Sequence, residues 1–117
     1  MNGLTYREPR DLGRADLARS LVERDIANLR EAIVAVALRD PDRAWVEDQL
    51  MTLMHDSEGS VRSVAALAAG HLARIHHAID QTRLVPALRS LLRDPDAREN
   101  AENALDDIAT FARDAAG

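Results

Sequence analysis

DSEGSVRSVAALAAGHLARI, residues 56–75, is the stretch that decides the fold. A polar turn with Ser60 as a capping candidate precedes a run in which Ala and Leu recur at helical spacing, which predicts a long helix over about 61–77. Gly70 interrupts this helix-forming composition at a cost of roughly 1 kcal/mol relative to alanine. Close approach of a neighbouring helix is the simplest reason for a glycine there.

The same pattern of a turn followed by a helix recurs on both sides of this stretch. Leu29-Arg30, Val61-Arg62 and Ala97-Arg98 each follow an Asp-containing turn, at spacings of 32 and 36 residues. Apolar residues stand three, six and seven positions after each Arg, on one helical face: Ile33, Val36, Ala37, Ala65, Ala68, Ala69, Ala101, Ala104 and Leu105. Shorter amphipathic helices lie between them, so the chain is predicted to be a stack of helix pairs.

Start and stop signals predict where the helices lie. We expect helices over about 14–21, 26–39, 41–54, 61–77, 83–92 and 97–115, with Asp25 as a cap and Pro41 and Pro86 in first turns. The predicted fold is all-α: a short α-solenoid of five to six helices, roughly two and a half helix pairs. It forms one domain over 1–117, with repeats at about 25–54, 56–92 and 94–115 and an N-terminal capping helix within 1–24.

Amino-acid composition supports a helical fold and indicates the cellular compartment in which the protein is expected. Aromatic residues make up 3% of the chain and there is no cysteine, which excludes disulfides and thiolate metal sites. The N-terminus is charged, and no apolar run reaches the roughly 18 residues of a membrane span. We therefore expect a cytoplasmic protein that does not bind a membrane and is a monomer when free.

Charge is distributed in blocks. The net charge of −5 divides into +1 over residues 1–39, −5 over 40–60, +4 over 61–93 and −5 over 94–117. An acidic chain lacks the basic stripe that duplex binding requires, so we expect no nucleic-acid partner. Basic protein partners are favoured instead.

The repeats resemble HEAT-like repeats, particularly the bacterial PBS-lyase type. DSEGSVRSVAALAAGHLARI and LVPALRSLLRDPDARENAENALDDI carry the resemblance, which covers about residues 25–115 and implies a scaffold fold. GHLARIHHAID (70–80) and ALDDIATF (104–111) are also similar to small HEAT-type immunity proteins of polymorphic or contact-dependent toxin systems. That second resemblance implies direct binding of a cognate toxin domain.

No motif in the sequence indicates catalysis. There is no Gly-rich phosphate loop, no G-x-S-x-G elbow and no cysteine nucleophile, so we expect neither an enzyme nor a cofactor. His71, His76 and His77 are separated by five, six and one residues, whereas ligands on one helical face need separations of three or four. No metal site is predicted.

Equivalent positions of successive repeats predict a structural polar ladder. Arg39, His71 and Asp107 stand nine residues after Arg30, Arg62 and Arg98, respectively. Neighbouring helices pack about 8 to 10 Å apart. These side chains could therefore meet across the stack. Alternatively, Arg39 faces water and only His71 and Asp107 approach each other.

Two groups of residues are candidates for partner binding. Glu99, Glu102 and Asp106 lie on one side of the last helix, which is either a solvated face or a surface for a basic partner. Trp45 stands beside Glu47 and Asp48, and is either a core residue or an interface anchor. The HEAT resemblance implies that the shorter helices line a concave, partner-facing side.

The leading functional hypothesis is an immunity protein that neutralises a bacterial toxin domain with a basic surface. A general HEAT-repeat adaptor or regulatory scaffold is the alternative. A HEAT-fold DNA glycosylase is less favoured, because such enzymes need more repeats and a basic channel.

Overall fold

The computed structural model describes residues 12–115, which form six helices and one pair of very short strands. The helices are α1 (Arg14–Glu23), α2 (Ile26–Arg39), α3 (Arg43–Leu53), α4 (Gly59–His76), α5 (Gln81–Leu91) and α6 (Arg98–Phe111), and the strands are β1 (Ala78–Ile79) and β2 (Arg113–Asp114). The predicted all-α fold is confirmed. Of the predicted N-terminal cap over 1–24, residues 1–11 lie outside the described part of the chain.

The helices form two layers. In the first layer α1, α2, α4 and α6 pack side by side in that order; α3 and α5 contact each other and pack across this row as the second layer. This is a short helical solenoid, as the repeat spacing predicted. Within the described residues, no helix is both long and apolar enough to cross a membrane.

Small residues bring the first-layer helices close together. Ala65, Ala69, Ala101 and Ala104 are buried where α4 meets its neighbours. A Cβ added at Gly70 would stand 3.4 Å from the Ala104 Cα atom and 2.8 Å from an Asp107 carboxylate oxygen. The close approach of a neighbouring helix predicted from this glycine is confirmed.

The helix starts confirm one cap and correct two details. Asp25 caps α2 by accepting a hydrogen bond from the Asn28 N–H at 3.3 Å, as predicted. Ser60 is not the cap of α4, because the helix begins one residue earlier and Glu58 occupies the cap position. Pro41 precedes α3 and does not lie in its first turn, because Asp42 caps that helix.

The C-terminal part of the chain departs most from prediction. Pro86 is the sixth residue of α5, because the helix begins at Gln81 and therefore earlier than expected. The last helix ends at Phe111 and not near Ala115. Beyond it, β2 pairs in parallel with β1, and the Ala115 N–H donates to the Ile79 carbonyl oxygen at 2.7 Å. Strands of two residues have no periodicity that a sequence pattern could reveal.

Candidate protein-binding surface

The acidic residues of the turns between helices are bound by arginines that come earlier in the chain: Arg14 of α1, Arg24 at the C-terminal cap of α1, and Arg62 of α4. The Arg14 Nε donates to Asp40 at 2.7 Å, the Arg24 guanidinium donates two bonds to Asp56 at 2.9 and 2.8 Å, and the Arg62 Nε donates to Asp94 at 2.6 Å. These bonds are the main cause of the lowered pKa of all three carboxyl groups. We call Asp40, Asp56 and Asp94 the turn carboxylates. Because each is bound by an arginine, they stabilise the folded structure.

Arg30, Arg62 and Arg98 occupy equivalent positions of the three predicted repeats but have different roles. Arg62 also donates to the carbonyl oxygens of Asp56 and Ser57, at 2.9 and 3.2 Å, so it holds two turns at once. Within residues 12–115, Arg30 donates only to the Ser60 hydroxyl, at 3.1 Å. The exposed Arg98 guanidinium forms no hydrogen bond or ion pair within residues 12–115.

Glu47 is not part of the surface, contrary to the prediction. Its side chain is 1% exposed, and it accepts a hydrogen bond from the Asp80 N–H at 2.9 Å. Arg43 and Arg83 lie 3.2 and 3.7 Å from its carboxylate oxygens. Burial of a carboxylate requires such partners, and one of them comes from α5, 36 residues away in sequence.

The two predicted neighbours of Glu47 have partners within the chain. The Arg14 guanidinium stacks over the Trp45 ring at 4.1 Å from its centroid, and the ring packs against the core on its other side. Asp48 is exposed but accepts a hydrogen bond from Arg83 at 2.8 Å. Trp45 is half-buried, a position that fits both the packing role and the partly exposed anchor weighed from the sequence.

Of the predicted ladder, the structure places only His71 and Asp107 near each other, and no hydrogen bond joins them among residues 12–115. His71 and Asp107 line one groove between α4 and α6 together with Arg74, whose Nε lies 3.3 Å from Asp107. Burial, and then the charge of Arg74, lower the pKa of His71, while Asp107 opposes the shift. Arg39 is exposed beside Leu12 at the start of the chain's described part, and no bond joins it to His71 among residues 12–115.

The acidic side of α6 faces solvent, as the sequence pattern indicated. Glu99, Glu102 and Asp106 are all exposed, and none of them forms an ion pair within the described residues. We call these three residues the α6 stripe. No group of three His, Asp or Glu side chains between residues 12 and 115 is arranged to hold a metal ion.

The first layer also presents a surface that sequence reasoning missed. We call it the outer face: the side of α2, α4 and α6 that points away from α3 and α5. It contains an apolar groove between α2 and α4, which Val34, Leu38 and Val64 line. Leu38 is 46% exposed. In the sequence, Leu38 lies off the apolar face of α2 that is buried. This position could have indicated that its side chain is exposed.

Comparison with solved structures finds a match over nearly the whole chain. No family model matches the chain, and no curated protein matches it. A crystal structure of a CDI (contact-dependent inhibition) complex from Cupriavidus taiwanensis LMG 19424 contains a chain with TM-score 0.80 and 28% identity. The chain shares the fold of that component. The match covers 94% of this chain and 99% of the other, so it concerns the whole stack of helices. The HEAT assignment stays a resemblance.

Proposed function

We propose that this chain is an immunity protein that neutralises a cognate toxin domain by binding it directly, without catalysis. The observation that carries the proposal is the match to a component of a CDI complex over nearly the full length of both chains. Because the match extends over nearly the whole stack of helices, it includes the helices that could form an interface with a partner. The similarity of residues 70–80 and 104–111 to immunity proteins supports the same role.

Charge distribution supports the binding role. Arginines neutralise the turn carboxylates, and Glu47 and Asp48 pair with Arg83. The α6 stripe, in contrast, has no such partner among residues 12–115. Exposed carboxylates without internal partners can accept Lys and Arg of a toxin, which would accelerate encounter and select the partner.

The proposed mechanism is steric and electrostatic. A stable protein complex buries about 800 Å² on each partner. A toxin domain held over such an area would have its active site or an adjacent substrate-binding surface covered. Among the contact residues predicted from the sequence, Glu99, Glu102 and Asp106 keep this role in the proposal, whereas Glu47 does not because it is buried.

Growth rescue tests the function. The probe is the C-terminal domain encoded by the reading frame adjacent to the gene of this chain, expressed from an inducible promoter. We expect that domain to arrest growth when expressed alone and co-expression of this chain to restore it. The matched control is the triple reversal Glu99→Lys, Glu102→Lys and Asp106→Lys, which should fold normally and rescue poorly.

Three results would contradict the proposal, and each indicates another role. Growth arrest caused by this chain alone would identify it as the toxic component. Recovery of a housekeeping protein without rescue would favour the adaptor, and specific binding to abasic or alkylated duplex DNA would favour the glycosylase.

A further inference from the structure

The apolar groove between α2 and α4 is the starting point. Val34, Leu38 and Val64 line it, while most large apolar side chains of the chain are buried in the core. Leu38 keeps nearly half of its surface exposed. An exposed apolar groove that is surrounded by polar residues is typical of a protein-binding site.

Two arginines beside this groove have no carboxylate partner among residues 12–115. Arg30 and Arg39 line its edge, Arg30 donating to the Ser60 hydroxyl and Arg39 forming no bond within residues 12–115. Most arginines on the first-layer helices α1, α2 and α4 bind carboxylates, as Arg14 and Arg62 do. With Glu31 as the one carboxylate among the groove residues, the groove carries a net positive charge.

The groove continues across the outer face to the α6 stripe. Val64 lies in the α2–α4 groove, and Leu67, one turn further along α4, lies in the neighbouring groove between α4 and α6. Asp106 also lines that second groove and is itself a member of the α6 stripe. The outer face is therefore continuous from α2, where it is apolar and basic, to Asp106 at the edge of the α6 stripe.

We propose that the outer face is the surface that contacts the partner, and that the partner is a single protein domain with the opposite charge polarity. Such a domain presents an apolar side chain flanked by carboxylates to the α2–α4 groove, and Lys or Arg side chains to the α6 stripe. This inference rests on the proposed function and specifies its interface. Pairing both ends of a polar surface fixes the orientation of the partner as well as its affinity.

The second layer is less suited to the same role. Trp45, its aromatic residue, is stacked beneath Arg14, and Asp48 is bonded to Arg83. A partner that used these groups would first have to break contacts within the chain. The outer face requires no such exchange, because Leu38 and Arg39 are exposed and Arg39 is unpaired within the described residues.

Isothermal titration with the toxin domain from the adjacent reading frame tests the inference. The double variant Leu38→Glu with Arg39→Glu introduces acid where the partner should present apolar and acidic groups. We expect its affinity to fall about 100-fold, because like charges would meet at a desolvated contact. The matched control is Val22→Glu with Arg89→Glu, which makes the same kinds of change at an exposed apolar residue of α1 and an exposed arginine of α5. The control should bind within about threefold of wild type.

The outcomes separate the interface from the function. If the Leu38/Arg39 double variant binds the toxin domain with the affinity of wild type, the outer-face interface is overturned. The immunity role would remain intact. No binding by the wild-type chain would overturn both. If the double variant unfolds, Arg39→Glu alone should still weaken binding about tenfold relative to Arg89→Glu alone, and equal affinities of these two single variants would again overturn the interface.

Discussion

The turn carboxylates and the α6 stripe contain the same kinds of residue and have opposite roles. Asp40, Asp56 and Asp94 each accept hydrogen bonds from an arginine that comes earlier in the chain, and their carboxyl groups are mostly covered. Glu99, Glu102 and Asp106 project from the end of the stack, with no ion-pair partner between residues 12 and 115.

The position of a carboxylate in the stack explains this difference. Each turn lies beside the helix of a preceding repeat, which supplies an arginine about one repeat length away, as Arg62 does for Asp94. Among residues 12–115, no further helix packs on the exposed side of α6. Its carboxylates are therefore free to bind a partner without loss of stability, whereas those of the turns and of the second layer hold the stack together.

The largest expected effect comes from Glu47, the most buried of the paired carboxylates. Glu47→Ala should lower the free energy of unfolding by about 3 kcal/mol, because Arg43 and the Asp80 N–H lose their buried partner. Chemical denaturation at pH 7 measures this change. Asp48→Ala is the control, since it removes an exposed partner of the same Arg83 and should cost less than about 1 kcal/mol. Equal losses would show that Glu47 is not a structural residue.

Arg62 should have the next largest effect. Its replacement by alanine removes bonds to Asp94 and to two turn carbonyl groups, and we expect a loss of about 2 kcal/mol. Arg98→Ala is the matched control at the equivalent position of the next repeat, and should change stability by less than about 0.5 kcal/mol. Similar values for the two variants would contradict the assignment of separate roles to these arginines.

Acid should destabilise the fold through the turn carboxylates. The folded state lowers the pKa of Asp56 and Asp94 below the ordinary value of 3.8, so their contribution is complete above that pH. It is lost as the pH falls through the folded pKa, because the unfolded chain binds protons first. Urea unfolding between pH 6 and 2.5 should show this loss, and Arg62→Ala should reduce its size. An unchanged acid slope in that variant would contradict the role of the Asp94 pair.

A smaller pH effect should come from His71. Burial, followed by the charge of Arg74, lowers its pKa below 6.5, so folding favours the neutral ring. Its contribution is present above pH 6.5 and decreases as the pH falls towards the folded pKa. The difference in unfolding free energy between pH 7.5 and 5.5 should therefore be smaller in His71→Gln than in wild type. An equal difference in the variant and in wild type would contradict this role of His71.

Local patterns in the sequence predicted most of the fold. Asp-containing turns and the spacing of Ala and Leu placed all six helices, and Gly70 revealed the close contact of α4 with α6. Apart from small shifts at helix starts, the main error lies where distant parts of the chain meet. The β1–β2 pair joins residues about 35 positions apart, and it replaces the predicted end of the last helix with a strand.

The candidate surface was predicted less completely, for a related reason. The exposed positions of the α6 stripe follow from the helical period alone. Glu47 has a local sequence that indicates exposure, but Arg83 from α5 and the Asp80 N–H make its burial possible. The outer-face groove depends on the packing of α2 against α4, which a single helix pattern does not contain.

The central claim is that the α6 stripe serves binding and the turn carboxylates serve folding. It is tested most directly by isothermal titration of the adjacent-gene toxin domain into Glu99→Gln/Glu102→Gln/Asp106→Asn, with thermal melting of the same variant. We predict an unfolding free energy within about 0.5 kcal/mol of wild type and an affinity about tenfold or more below it. Wild-type affinity in this variant would contradict the account.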